Sequence, residues 1–267
     1  MIQMRTFLLF IVMAMLFGCK SDSEQSSGII FLHHSTGGAI WRGAANRYVY
    51  KITGKGDVDR YFAKYNKKNN TAYSIIDQSF PKSEPYGRHN YPYDYYDIWV
   101  KNAGNESYME EPTLEMLTED YNVIIFKHCY PVGEILEDTG SPDINSDERR
   151  LENYFLQYDA LKKKMHEFRD TKFIVWTPAA LIASHTTEEQ ALRTRQFYEW
   201  MTDEWDEEGD NIYLWDFYSL ETEGELYLKN EYAASLHDSH PNNTFSGKVA
   251  PLFAQFIIEV VEGKNWN

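Results

Sequence analysis

Five short apolar runs, Ile29–His33, Tyr73–Ile76, Val123–His128, Phe173–Thr177 and Ile212–Phe217, punctuate this chain at intervals filled by amphipathic sequence. Most are continuous rather than alternating. A strand of that kind must be covered on both faces, which is the condition of a parallel sheet. The stretches between them have helical spacing. Leu151, Tyr154, Phe155, Tyr158, Leu161, Met165 and Phe168 share one helical face, and so do Val249, Leu252, Phe253, Phe256, Ile257, Val260 and Val261. Asn145 with Glu148, and Thr186 with Glu189, have the spacing of capping boxes ahead of two such helices. Strands alternating with helices predict an α/β fold, a three-layer α/β/α sandwich around a five-stranded parallel sheet.

The first residues stand apart from that pattern. Arg5 precedes an apolar run from Phe7 to Phe17, too short to span a bilayer comfortably and of the length of a secretory h-region. Leu16-Phe17-Gly18-Cys19 resembles the bacterial lipobox, in which the cysteine becomes the lipidated first residue. Residues 1–18 are therefore expected to be a lipoprotein signal peptide and 19–27 a polar tether. Residues 28–267 are then a single domain anchored to a membrane of the cell envelope through Cys19. The sequence has two cysteines, so lipidation of Cys19 leaves Cys129 without a disulfide partner. A formal charge of −15, with no basic stripe, argues against a nucleic-acid partner.

Chemistry-bearing residues gather at two places. The first run ends in His33-His34-Ser35-Thr36-Gly37-Gly38, and His237-Asp238-Ser239-His240-Pro241-Asn242 precedes the last helix. A serine hydroxyl needs a neighbouring base to attack at neutral pH, and a histidine held by a carboxylate is the usual one. A parallel sheet brings such segments together, because ligands collect outside the carboxyl ends of its strands. Ser35 has a plainer reading as a helix cap, and His240 as a surface histidine beside a turn. His33, His34, His128 and His237 with Asp238 would suit a zinc-like ion, but no tight metal signature occurs and no metal is expected. Between the second and third runs lies a long excursion, Pro81–Asp120, rich in tyrosine. Its rings either stack on a sugar beside the crevice or pack the loop itself.

These blocks resemble the SGNH, or GDSL-like, hydrolase superfamily, whose domain is flavodoxin-like. In that family a serine follows the first strand within Gly-Asp-Ser, and a C-terminal Asp-x-x-His completes a triad. A glycine after the second strand and an asparagine after the third donate to the oxyanion. The resemblance implies Ser35 as nucleophile, His240 as base and Asp238 as orienting acid, with no cofactor. This sequence has His34 where the family has Asp, and its acid stands two rather than three residues before the histidine. Phe126-Lys127-His128-Cys129 stands in place of the third block, so the asparagine donor is either missing or replaced, with Lys127, His128 and the N–H of Cys129 as candidates, while Gly87 and Gly104 are both candidates for the second. The implied function is hydrolysis of an ester, an acyl group on a carbohydrate or a small molecule. The rival reading is a glycan-binding or scaffolding lipoprotein on the same fold.

Overall fold

The computed structural model describes residues 28–87 and 89–264. The expected leader and Cys19 lie outside the described residues. In chain order the elements are β1 (Gly28–His33), α1 (Ser35–Arg42), α2 (Arg47–Thr53), α3 (Asp57–Asn69), β2 (Ser74–Ser79), α4 (Pro92–Tyr96), α5 (Leu114–Asp120), β3 (Val123–Phe126), α6 (Leu151–Met165), β4 (Lys172–Trp176), α7 (Glu188–Trp200), β5 (Ile212–Trp215), α8 (Phe217–Thr222), β6 (Ala233–Ser235), β7 (Asp238–Pro241) and α9 (Asn243–Val261). Wider π-helical turns, Asp97–Lys101 and Met201–Trp205, extend α4 and α7.

β1 to β5 form one sheet in the order β2-β1-β3-β4-β5, and every pairing is parallel. The three-layer α/β/α fold read from the sequence is the fold observed. Alternate residues of the central strands enter opposite cores. Ile30, Leu32, Ile124, Phe126, Phe173 and Val175 pack on the side of α4 to α7. Ile29, Phe31, Val123, Ile125, Ile174 and Trp176 pack on the side of α1, α3 and α9. This double coverage is why the runs are continuous rather than alternating. β2, at the edge, is only partly covered and ends in the polar Asp77-Gln78-Ser79. The apolar helix α9 is long enough to cross a membrane by length and composition, yet more than half of it is buried within the fold.

Two helix starts differ from expectation. The N-cap of α6 is Arg150, in extended backbone without a side-chain cap. Glu148, one half of the expected box, pairs with the Arg150 guanidinium at 3.0 Å instead. For α7 the box is formed one residue later, by Thr187 and Gln190. The tyrosine-rich excursion is a local subdomain. Tyr86, Tyr95, Tyr96 and Trp99 are buried, with Tyr95 and Trp99 stacked edge-on at 4.8 Å, so these rings fill the core rather than face solvent.

The start of α1 is set by a close approach. A Cβ on Gly37 would lie 2.5 Å from the Cβ and Cγ of His33, so only glycine lets the helix fold back over the end of β1. The His33 ring is fixed there by Asp77 at 3.2 Å and by the Phe31 ring at 4.4 Å. Gly37→Ala should lower the unfolding free energy by about 1–3 kcal/mol, the usual cost of overpacking. Equilibrium denaturation checks this, and a variant as stable as the wild type would contradict the close approach.

Candidate active site

Ser35 is the first residue of α1 and is exposed. It stands at the mouth of two adjoining clefts. One, of about 700 Å³, is lined by Ser35, Arg42, Arg47, Tyr50, Asp238 and His240 among others. The second, of about 530 Å³, is lined by His34, Ser35, Ser79, Lys82, Gly87 and Cys129. Residues 35 and 240 thus meet at one surface, although most of the chain separates them. Ser35 Oγ contacts Cys129 Sγ at 3.7 Å, and among the described residues no hydrogen bond joins it to His240.

The other half of the site is a hairpin. β6 and β7 pair antiparallel, and β7 carries Asp238 and His240. Residues two apart in a strand project on the same side. Asp238 and His240 therefore face together while Ser239 between them is buried, its Oγ accepting the Ile182 N–H at 3.3 Å. Asp238 Oδ1 lies 2.5 Å from His240 Nδ1 and also accepts the His240 backbone N–H at 2.9 Å. The two-residue spacing that departs from the family motif is what a strand requires for this contact.

Partial burial pushes the Asp238 carboxyl up, but the hydrogen bonds from the His240 backbone and ring outweigh it, and the carboxyl sits below its ordinary value. With Nδ1 turned to the carboxylate, Nε2 is the ring nitrogen left for a reacting group. Tyr130 packs edge-on against the imidazole at 4.9 Å. Asn242 caps α9 through the Phe245 N–H and donates to the carbonyls of Glu231 and Ala233, which ties the hairpin to that helix.

The remaining candidates divide. His34 and Cys129 line the second cleft, the His34 Nε2 directed to the Pro81 carbonyl at 2.5 Å. Gly87 lines it too, but its N–H is engaged by the Ser83 carbonyl at 3.0 Å. Gly104 is not among the residues lining either cleft, and its carbonyl accepts the Thr113 hydroxyl at 2.5 Å. Lys127 and His128 turn into the two cores. Lys127 Nζ bonds the His128 carbonyl and lies 6.0 Å from the Trp176 ring. His128 is enclosed by Tyr95, Phe126 and Tyr158, and burial, helped by Lys127, pushes its imidazole down to about 3. Neither side chain reaches Ser35 as an oxyanion donor, because residues beyond β3 still alternate between the faces of the sheet. The strand-end histidines do not converge on one point either, since His33 binds Asp77 and His237 is exposed.

Sequence reasoning missed Arg42, Arg47, Tyr50 and Tyr130. The signal for Arg42 was present. Ser35, Gly38, Ala39 and Arg42 follow the i, i+3, i+4, i+7 pattern of one helical face, and all four line the cleft.

No protein-family model and no curated protein matches this sequence. Among solved structures, one from Bacteroides fragilis NCTC 9343, described as a "putative acylhydrolase", is similar at 13% identity and a TM-score of 0.42. The alignment covers 90% of each chain.

Behind the site lies a buried carboxyl, Glu221. Its Oε2 accepts the Ala180 N–H at 2.9 Å and its other oxygen is unpartnered among the described residues. Burial raises it to about 8, against the opposing pull of the Ala180 N–H and Lys127. A carboxyl raised on folding favours the folded chain most below its ordinary value of 4.5, and that contribution fades as pH climbs through about 8. Glu221→Gln should therefore gain stability relative to the wild type between pH 5 and 9, by more than the ~1.4 kcal/mol that corresponds to one pKa unit. Parallel denaturant titrations at both pH values test this. A constant difference would mean that Glu221 does not titrate there.

Proposed function

We propose that this chain is an ester hydrolase of SGNH type, with Ser35 as nucleophile, His240 as base and Asp238 as the acid that orients it. The observation that carries the reading is the Asp238–His240 contact at 2.5 Å on the wall of the cleft that Ser35 lines. In the proposed reaction His240 Nε2 takes the Ser35 proton as Oγ bonds the acyl carbon. The tetrahedral adduct collapses, and the leaving alcohol receives that proton from the imidazolium. Water, deprotonated by the same ring, then releases the acid and restores Ser35. Ser35 must turn from Cys129 toward the imidazole for the first step, and catalytic hydrogen bonds are often loose before substrate arrives.

The donors for the oxyanion are the first N–H groups of α1, those of Ser35 and Thr36, which have no carbonyl within the helix to bind. With no asparagine after β3 and the Gly87 N–H engaged, this hole lacks both of the family's donors from outside α1. One donor typically accounts for ~10²–10³ in turnover. The proposed enzyme is consequently slow or narrowly specific. Its substrate on this reading is an acyl ester of a carbohydrate or small molecule. The chain is proposed to be exported and held at the cell envelope through lipidated Cys19. The Ser35 hydroxyl, on Cys129 rather than on the imidazole, favours one other reading, a non-catalytic glycan-binding or scaffolding module on this fold.

Hydrolysis of a chromogenic acetyl ester separates the two. Ser35→Ala and His240→Ala should lose at least ~10³ in kcat, and Asp238→Asn ~10²–10⁴. Equal rates in the wild type and all three variants would leave the binding module in place of the enzyme.

A further inference from the structure

We infer that the cleft shared by Ser35 and His240 selects substrates bearing a carboxylate, held by Arg42 and Arg47; this rests on the ester-hydrolase reading only for the identity of the scissile bond. The cleft reverses the charge of the molecule around it. The chain has 41 acidic and 26 basic residues, yet the charged side chains lining this cleft are Arg42, Arg47 and Asp238, besides the titratable His240. Asp238 is committed to His240. Two cations therefore face the space with one carboxylate already occupied.

Neither arginine has an acidic partner among the described residues. Arg60, Arg149, Arg150 and Arg195 hold Asp57, Glu134, Glu148 and Glu199, whereas Arg42 donates through Nη2 to the amide oxygen of Asn243 at 3.0 Å. Its Nε is buried and has no partner among the described residues. The nearby carboxylates are turned elsewhere: Asp57 binds the Ala44 N–H and Arg60, and Asp59 binds the Gly56 N–H. A part-buried guanidinium with no carboxylate on it, at the wall of an open cleft, matches a planar oxyacid.

The spacing fixes the ligand's dimension. Arg42 is seven residues beyond Ser35 on α1, about 10 Å along the helix axis, and helical side chains lean back toward the N-terminus. The anion thus lies within about 10 Å of the acyl carbon, a separation spanned by one sugar or aromatic ring.

The test measures binding to the Ser35→Ala protein, so that nothing is turned over. 4-Acetoxybenzoate, with its carboxylate on the alcohol side, is compared by calorimetry with its methyl ester. The 4-nitrophenyl monoester of succinate places the carboxylate on the acyl side and identifies which portion faces the arginines. The better-placed carboxylate should bind at least about tenfold more tightly than its neutral counterpart, and the preference should shrink with added salt. Adding Arg42→Gln and Arg47→Gln together should abolish it. Arg47→Gln alone, at an exposed position, should reduce it without touching the core. Equal affinity for charged and neutral ligands, no binding of either at millimolar concentration, or a preference that survives loss of both arginines would overturn the inference. Absence of ester turnover in the wild type alongside an intact preference would remove the hydrolase and leave the anion site.

Discussion

The order of strands in the sheet governs everything at the site. β1 lies between β2 and β3, so the chain leaves β1 toward one edge and returns on the other side. The helix after β1 belongs to one covering layer, and the segments that follow β2 and β3 pack in the other. Where the two connections diverge, a crevice opens at the carboxyl ends of the strands. Ser35 follows β1 and Cys129 follows β3, and they meet across that crevice. Ser35 and Cys129 would not meet in this way if β1 were an edge strand.

The floor of the crevice depends on groups that a core normally excludes. Beyond Phe126 the chain makes one more sheet bond, from the Lys127 N–H to the Leu32 carbonyl, and then departs. Lys127 is buried with its ammonium on the His128 carbonyl, and burial holds its pKa below the ordinary lysine value. Glu221 lies close enough to influence it. Burying these groups is expensive, and satisfied polar contacts in a low dielectric are correspondingly rigid. Their effect here is to fix the backbone that carries Cys129 where sheet pairing has ended.

Much of this architecture was legible before any coordinates. All five strands of the main sheet were, the central ones because double-sided burial forces an apolar run. Their ends were less so: β2 continues through Asp77-Gln78-Ser79, since an edge strand tolerates polar residues, and β3 stops short of the buried Lys127 and His128. The hairpin of β6 and β7 was read only as a block ahead of α9. Its period of two is what turns Asp238 toward His240, a fact that a motif with helical or turn spacing conceals. Lys127 and His128 stood next to the candidate site in sequence, but alternation sent one into each core. Cys129, left without a disulfide partner by the expected lipidation of Cys19, is buried and touches Ser35.

The two halves of the site have different origins. The Asp238–His240 contact is local to one short strand, whereas the place of Ser35 comes from the central sheet. Alignment of the halves therefore rests on the packing of α1 against α9. A Cβ on Gly247 of α9 would stand 2.7 Å from the Ala44 Cβ, just past the end of α1, and Arg42 reaches Asn243 across the same junction. That interface is close-packed, so the least constrained part of the site is the exposed Ser35 side chain. Its contact with Cys129 is a weak hydroxyl–thiol pair, and serine moves between staggered rotamers without disturbing the helix. An imidazole held by a carboxylate is a far stronger hydrogen-bond partner than a thiol. The orientation of Ser35 toward Cys129 is thus compatible with the proposed role, because turning one serine side chain disturbs neither the α1–α9 packing nor the Asp238–His240 contact.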